Sequence, residues 1–289
     1  MIEKEFLEKE ISAIPLHTSF PLSTNEGMVD YGKLVKYLKS VEITSYERGF
    51  GDSPLSPIGG PPPADDEVMG QEKTYVCSGF VFHFDATIPH YRARIILMSN
   101  LLAQLVADQE YVRHSNEWWE KYHEFLGVQG WVMSSFIWEP VDVDTLCPDE
   151  KVVTIRQVLS HIAADIGVLG QNTCNEMCNK LLSNINSPEF AVIEYKSTVP
   201  GGAISLAPLI QYKDDGDGAK LLSVSMIASV YVVKMKHKAF LWWAWSKETT
   251  EYYRLSHSET LNYDAWKKVE ESVEEKVQEF APFLIGPLS

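Results

Sequence analysis

The chain has 289 residues, of which 45% are apolar and 22% are charged, and its formal net charge is −15. This length and balance are ample for one large domain or two small ones with a real hydrophobic core. So acidic a surface excludes nucleic acid as a partner, because it repels phosphate groups and no basic, aromatic-interleaved patch offsets it.

The beginning of the chain, MIEKEFLEKEISAIPL, has no basic segment followed by an apolar run, so it does not predict a secretory signal. No stretch reaches the roughly 20 apolar residues that a spanning helix needs. We therefore expect synthesis in the cytoplasm, with action at a target-cell membrane or release by a non-classical route. Four cysteines in a chain of this size do not indicate a disulfide framework, and buried thiols are expected.

The first part of the chain divides into an N-terminal arm and helix, 1–48, and a loop, 49–73. The helix is predicted from the apolar spacing in VDYGKLVKYLKSV. The loop holds five prolines and five glycines between Gly49 and Glu72, which is typical of a protease-sensitive joint or of a plain surface loop.

The remainder, 74–289, is predicted to form an α/β domain, in one body with 1–48. TYVCSGFVFHF predicts a strand, IPHYRARIILMSNLLAQLVADQ a helix, EYVRHSNEWWEKYHEFLG a second helix that stops at Gly127, and GWVMSSFIWEP another strand. Apolar residues spaced by 3 and 4 from Val152 to Leu169 predict an amphipathic helix, and NTCNEMCNKLLSNI predicts one more.

Strands dominate the last third of the sequence, followed by an acidic closing helix, DAWKKVEESVEEKVQEF. The predicted strands are EFAVIEYKSTV, GAISLAPLIQYK, AKLLSVSMIASVYVVK and KAFLWWAWS, and YYRLSHSETL adds a short one. Short turns between successive strands favour antiparallel pairing. From Leu221 to Val233 neither face carries a charge, so the sheet should be covered on both sides. We predict a single three-layer α/β domain in which helices wrap both faces of an antiparallel sheet.

No catalytic or metal-binding motif is recognisable, so we predict no catalytic residues and no metal site. KDDGDGAK resembles a calcium loop in composition but lacks its spacing, and it fits a hairpin turn. Cys174 and Cys178 lie four residues apart on one face of a predicted helix, beside Met177 and Leu181. Three interpretations of these two cysteines stay open. They are small residues of the core, two ligands of a metal site whose other ligands are not recognisable in the sequence, or part of the lining of an apolar pocket that holds an acyl chain.

The order of elements resembles the Cyt-type cytolytic delta-endotoxins and the related Erwinia virulence factor family. The resemblance covers roughly residues 85–262. It rests on the helices YRARIILMSNLLAQLV, VTIRQVLSHIAADIGVLG and CNEMCNKLLSNIN, the strand WVMSSFIW, and the closing strands. It implies a wrapped antiparallel sheet, membrane permeabilisation by long strands once helices move away, and a fatty acyl chain on a buried cysteine. Cys174 and Cys178 are our candidates for that cysteine.

Together these observations predict a membrane-interacting, Cyt-like toxin or virulence factor that binds lipid and perturbs or permeabilises membranes. Its partners would be membrane lipids and further copies of the chain, and a covalently or non-covalently bound fatty acid is the one expected ligand. The alternatives are a fatty-acid carrier or sensor and an enzyme with an unrecognised site. The predicted membrane-contacting residues are the apolar and aromatic ones of the hairpin: Val224, Met226, Ile227, Val230, Val232, Phe240, Trp242, Trp243 and Trp245.

Overall fold

The computed structural model describes residues 31–43, 67–78, 80–111, 115–133, 139–140, 142, 152–153, 172–173, 175–177, 179–180, 201–214, 220–233, 245–246 and 251–288. The predicted N-terminal arm, most of the 49–73 loop and most of the predicted 152–169 helix lie outside these residues. Within them, no helix is both long and apolar enough to cross a membrane.

Six helices are bounded within the described residues: α1 Tyr31–Ser40, α2 His90–Glu110, α3 Asn116–Val128, α4 Tyr263–Trp266, α5 Glu270–Val277 and α6 Ala281–Leu284. Residues 172–173, 175–177 and 179–180 are also helical, and we call them the 172–180 segment. The predictions of α1, α2, α3 and this segment are therefore confirmed where the chain is described.

Helix α2 is the centre of the hydrophobic core. Sixteen of its 21 residues are buried, on all sides of the helix. Pro89 precedes it with φ −62 and an extended ψ, which suits a residue that cannot donate a backbone hydrogen bond. A helix that is buried all round needs neighbours on every side.

The strands are β1 Lys73–Cys77, β2 Phe80–Phe84, β3 Trp131–Met133, β4 Glu139–Pro140, β5 Val152–Val153, β6 Gly201–Asp214, β7 Lys220–Val233, β8 Trp245–Ser246, β9 Glu251–Asn262 and β10 Ile285–Leu288. The main sheet has the order β10-β1-β2-β6-β7-β9-β3, and β4 also pairs with β9. The predicted hairpin is confirmed, because β6 and β7 pair antiparallel from Gly201–Val233 to Asp214–Lys220.

The sheet is mixed rather than purely antiparallel, which corrects the prediction. β2 and β6 run parallel, with Phe80 opposite Ser205 and Phe82 opposite Ala207. More than a hundred residues separate these two strands, so the reasoning that short turns give antiparallel neighbours does not apply to them.

Two predicted strands near β7 also differ from the structure. The strand predicted to follow β7 is described only at Trp245–Ser246, and these residues pair with Val152–Val153 in a separate two-stranded sheet. Val152 and Val153 were predicted to open a helix. The place beside β7 is taken by β9, which is longer than the short strand expected there.

Three boundaries differ for local reasons. TYVCSGFVFHF forms the two strands β1 and β2 instead of one, and Ser78 between them has a left-handed φ of 55. Helix α3 runs through Gly127, and the chain turns at Gly130, whose φ is 93. The predicted closing helix is divided into α4 and α5, and the unpredicted β10 follows α6.

Both faces of β2 are buried, against different parts of the chain. Phe80 stacks on Tyr122 of α3 and meets Trp119 edge to face, with ring centroids 5.4 and 6.0 Å apart. His83 points to the opposite face, since successive strand residues alternate. There it contacts Thr74 of β1, which accepts a hydrogen bond from Lys180 in the 172–180 segment.

Candidate functional site

Polar side chains form a cluster inside the core where α2, α3 and β9 meet. The members are Asn100, Tyr122, His123, His257 and Glu259. Glu259, Tyr122 and Asn100 are 0% exposed and His257 is 4% exposed. Buried ionisable groups that surround one another are candidates for function, so this cluster is the main candidate site among the described residues.

The centre of the cluster is a contact between two residues of β9. His257 Nε2 lies 3.0 Å from Glu259 Oε1, and neither side chain has exposed surface. The two residues are two positions apart on a strand, so their side chains lie on the same face. Glu259 Oε2 has no hydrogen-bond partner among the described residues, so this carboxylate is held only through its other oxygen.

Tyr122 links this pair to both helices. Its hydroxyl donates to Glu259 Oε1 at 3.1 Å and to Asn100 Oδ1, sharing one proton between two acceptors. Asn100 is oriented because its amide nitrogen donates to the carbonyl of Ile96 at 3.0 Å. Burial and the nearby Glu259 carboxylate raise the pKa of Tyr122 well above its ordinary value, so the hydroxyl keeps its proton.

His123 lies next to the pair from the side of α3. Its ring centroid is 5.3 Å from that of His257 and 5.8 Å from that of Trp119. The residue is partly exposed overall, but its Nε2 atom has no contact with solvent. Burial, with a further contribution from His257, holds the pKa of His123 well below its usual range, so the ring is neutral at neutral pH.

Packing of aromatic rings fixes the geometry of the cluster. Ser115 caps α3 by accepting a hydrogen bond from the Trp118 backbone, and the Trp118 indole donates to Asp108 of α2 at 2.9 Å. One turn later Tyr122 stacks on Trp118, at 5.2 Å and an interplanar angle of 8°. The resulting chain of acid, imidazole and phenol could relay protons, but its members are enclosed within the core.

The predicted acyl-binding residues are described in part. Met177 is helical and 0% exposed. Cys174, Cys178 and Leu181 lie outside the described residues, so the predicted pocket stays a prediction. Cys77 is described: it is buried on β1, forms no disulfide with the described residues, and donates to the Leu97 carbonyl of α2 at 3.4 Å.

The predicted membrane-contacting residues are also described only in part. The backbone of β7 carries Val224, Met226, Ile227, Val230 and Val232, at the centre of the sheet between β6 and β9. Trp245 lies in β8, which pairs with β5 and is not a strand of the main sheet. Phe240, Trp242 and Trp243 lie outside the described residues.

Sequence reasoning missed the buried polar cluster. The one local signal is the sequence HSE at 257–259, which places two titratable residues on one face of an expected strand. Tyr122 comes from 137 positions earlier in the chain, and no motif connects it to β9. The cluster becomes recognisable only when α3 is packed on the sheet.

Comparisons with known proteins add little. No family model matches the chain, and no curated protein matches it. Among solved structures it is similar to the structure of the Evf virulence factor, with 12% identity and a TM-score of 0.28, over 88% of this chain and 90% of that chain. At this TM-score the likeness carries no argument about function or about the Cyt-type family.

Proposed function

We propose that this protein is a Cyt-like toxin or virulence factor that binds lipid and perturbs or permeabilises membranes. The observation that carries the proposal is the place of β7. Thirteen residues from Leu221 to Val233 carry no charge, and they lie between two long strands at the centre of the sheet. A tilted strand spans a bilayer with roughly 9–11 residues, fewer than β6, β7 or β9 contains.

In water such a strand needs cover on both faces, and we take the domain to be a single three-layer one. Support comes from β2, where α3 covers the Phe80 face and the 172–180 segment lies over the His83 face. Apolar burial stabilises the covered form by roughly 25 cal/mol per Å². A bilayer would offer the same burial once the covering helices move. Strand edges in lipid leave unsatisfied backbone groups, so assembly of several copies or shallow insertion completes the proposal.

A second candidate function is a carrier or sensor of fatty acids. It is favoured by the full burial of Met177, because Cys174 and Cys178 lie within three positions of it in the sequence. In this alternative the space between segment and sheet holds an acyl chain permanently, and the sheet is never uncovered.

Dye release from liposomes separates the two functions. Neutral and anionic vesicles loaded with a self-quenching dye would be mixed with the protein before and after limited proteolysis. The toxin proposal expects leakage, and more from neutral vesicles, because the net charge of −15 repels anionic surfaces. Absence of both binding and leakage would overturn it. An added acyl mass on the intact chain, without leakage, would favour the carrier.

A disulfide between the 172–180 segment and β1, in a background without the native cysteines, tests whether the sheet must be uncovered. The oxidised protein should fold normally and release far less dye, and reduction should restore release. The cysteine-free parent is the matched control. Equal release from both forms would mean that the long strands stay covered.

A further inference from the structure

Three potential metal ligands converge on the β1–β2 face opposite α3. Glu72 precedes β1, His83 lies on β2, and Glu176 belongs to the 172–180 segment. One ligand atom from each of the three lies within 4.8 Å of the others. They come from separate parts of the sequence, so no motif of fixed spacing predicts them.

His83 is held in a fixed orientation. Its Nδ1 lies 3.0 Å from Thr74 Oγ1, and its side chain is only 9% exposed. The opposite nitrogen, Nε2, therefore points toward the carboxylates. Glu72 Oε2 is 3.8 Å from Nε2, too far for a hydrogen bond, and Nε2 has no hydrogen bond to the described residues. An imidazole nitrogen of a largely buried side chain thus faces two carboxylates without a hydrogen bond to either.

The ordinary alternative for these residues is a charged ion pair between His83 and Glu72. Their closest atoms, Nε2 and Oε2, are 3.8 Å apart, which is longer than an ion-paired hydrogen bond. Metal ions bind deprotonated imidazole and carboxylate groups, and the three side chains offer both kinds of ligand within 4.8 Å of one another.

We propose that Glu72, His83 and Glu176 bind a divalent transition-metal ion, for which Zn²⁺ is the best fit. Zn²⁺ accepts imidazole nitrogen and carboxylate oxygen at about 2.0–2.2 Å, with water in the fourth position. The glutamates are exposed, Glu72 by 58%, so their carboxylates can rotate the short distance inward. Ca²⁺ fits poorly, since it takes 6–8 oxygen ligands.

Thr74 completes the site from behind the histidine. Ligating histidines commonly donate their second N–H to a neighbouring acceptor, which fixes the ring. The Thr74 hydroxyl oxygen has two lone pairs, so it can accept from both His83 Nδ1 and Lys180 Nζ, which lies 3.3 Å away. The Lys180 ammonium opposes a bound cation by its charge.

A bound ion would join the 172–180 segment to the sheet. The bridge connects β1 and β2 with a segment about 93 positions further along the chain. Ligand binding to the folded state stabilises it in proportion to the logarithm of ligand concentration. This consequence holds whether or not the protein acts on membranes.

Calorimetric titration of the metal-free full chain with Zn²⁺, in the absence of lipid, tests the proposal. One ion per chain is expected. Glu72→Gln and Glu176→Gln should each weaken binding by at least about tenfold, and Thr74→Val by about tenfold through the histidine. Lys180→Met should bind more tightly. Glu67→Gln is the matched control and should bind like the parent, because Glu67 is an exposed carboxylate five positions before Glu72 and is not one of the three proposed ligands.

The substituted glutamates are exposed, so the variants should fold, and circular dichroism checks this. A Co²⁺ spectrum identifies the ligands, because thiolate ligands give a charge-transfer band that a histidine–carboxylate site lacks. Absence of binding, equal binding by the parent and both glutamine variants, or a thiolate band would each overturn the proposal.

Discussion

Two regions of the molecule differ in the residues that build them. The helical region, α2 and α3 with β1 and β2, uses large rings and individually placed polar contacts: FVFHF in β2 has three phenylalanines in five residues. In the long-strand region, β6, β7 and β9, the central strand β7 consists mainly of aliphatic residues, with three serines and a single aromatic residue. We expect the helical region to depend on the shapes of its rings, and β7 to tolerate substitution by other apolar residues.

Strand β9 belongs to both regions. It pairs with β7 from Glu251 opposite Val233 to Asn262 opposite Leu221, and its residues Glu259 and His257 also contact α3. The two regions therefore meet at this strand. Mutations in the two regions should differ in the size of their effects, and the predictions below test that difference.

The largest loss is expected from breaking the buried pair. His257→Leu leaves the Glu259 carboxylate in the core with the Tyr122 hydroxyl as its hydrogen-bond donor among the described residues. Breaking a buried pair from one side costs about 3–5 kcal/mol of unfolding free energy, measurable by urea denaturation. The double variant His257→Leu, Glu259→Leu should recover much of the loss, because no buried charge remains. Additive losses in the double variant would show that the pair is not the cause.

Gly130→Ala should be nearly as damaging. Gly130 has φ +93, and an added Cβ would lie 2.7 Å from the Cβ of Ala265 in α4. Left-handed strain and overpacking together predict a loss of about 3 kcal/mol. Gly70→Ala is the matched control: φ is +70, nothing described lies within 4 Å, and about 1 kcal/mol is expected. Equal losses in thermal melts would mean that the α3–α4 corner is not tightly packed.

Lowering the pH should destabilise the helical region, because burial keeps the ring of His123 neutral there. Its folded-state pKa lies well below the unfolded value near 6.5, so below about pH 6.5 the unfolded chain binds a proton that the native chain refuses. The free energy of unfolding should therefore decrease as the pH is lowered, by up to about 1.4 kcal/mol for each pH unit. His123→Phe should flatten this slope in denaturation series from pH 7.5 to 4.5. An unchanged slope would assign the acid sensitivity to other groups.

The smallest effect is expected in the long-strand region. Ser225→Val in β7 should change the unfolding free energy by less than about 1 kcal/mol, because valine suits a strand. Ser205→Val on β6 is the contrasting variant at the border with the helical region: Ser205 is fully buried opposite Phe80 of β2, where overpacking costs about 1–3 kcal/mol. Equal losses would show that β7 tolerates substitution no better than the border with the helical region.

Local patterns predicted much of the secondary structure. The apolar spacing of α1 and α2 and the β-forming residues of β6 and β7 lie within single windows of sequence, and those elements are confirmed. Pairing partners are chosen across the whole chain, and there the predictions were wrong: β2 lies parallel to β6, and Trp245–Ser246 pairs with Val152–Val153.

The candidate sites were less predictable for the same reason. Glu259 and Tyr122, like Glu72 and Glu176, are ordinary polar residues in their own segments, and packing alone brings each pair together. The acyl and membrane assignments rested on Cys174, Cys178 and the apolar hairpin, and they stay predictions.

The pairing of β10 with β1 has a consequence for biosynthesis. Thr74 is opposite Leu288 and Cys77 is opposite Ile285, so one edge of β1 gains its partner only after translation has reached β10, more than 200 positions further along the chain. Until then β1 exposes unpaired backbone groups, which are a template for association with other nascent chains. Pro287 in β10 lacks one backbone donor at the finished outer edge. The stretch that closes the sheet is thus also the one that limits its further growth.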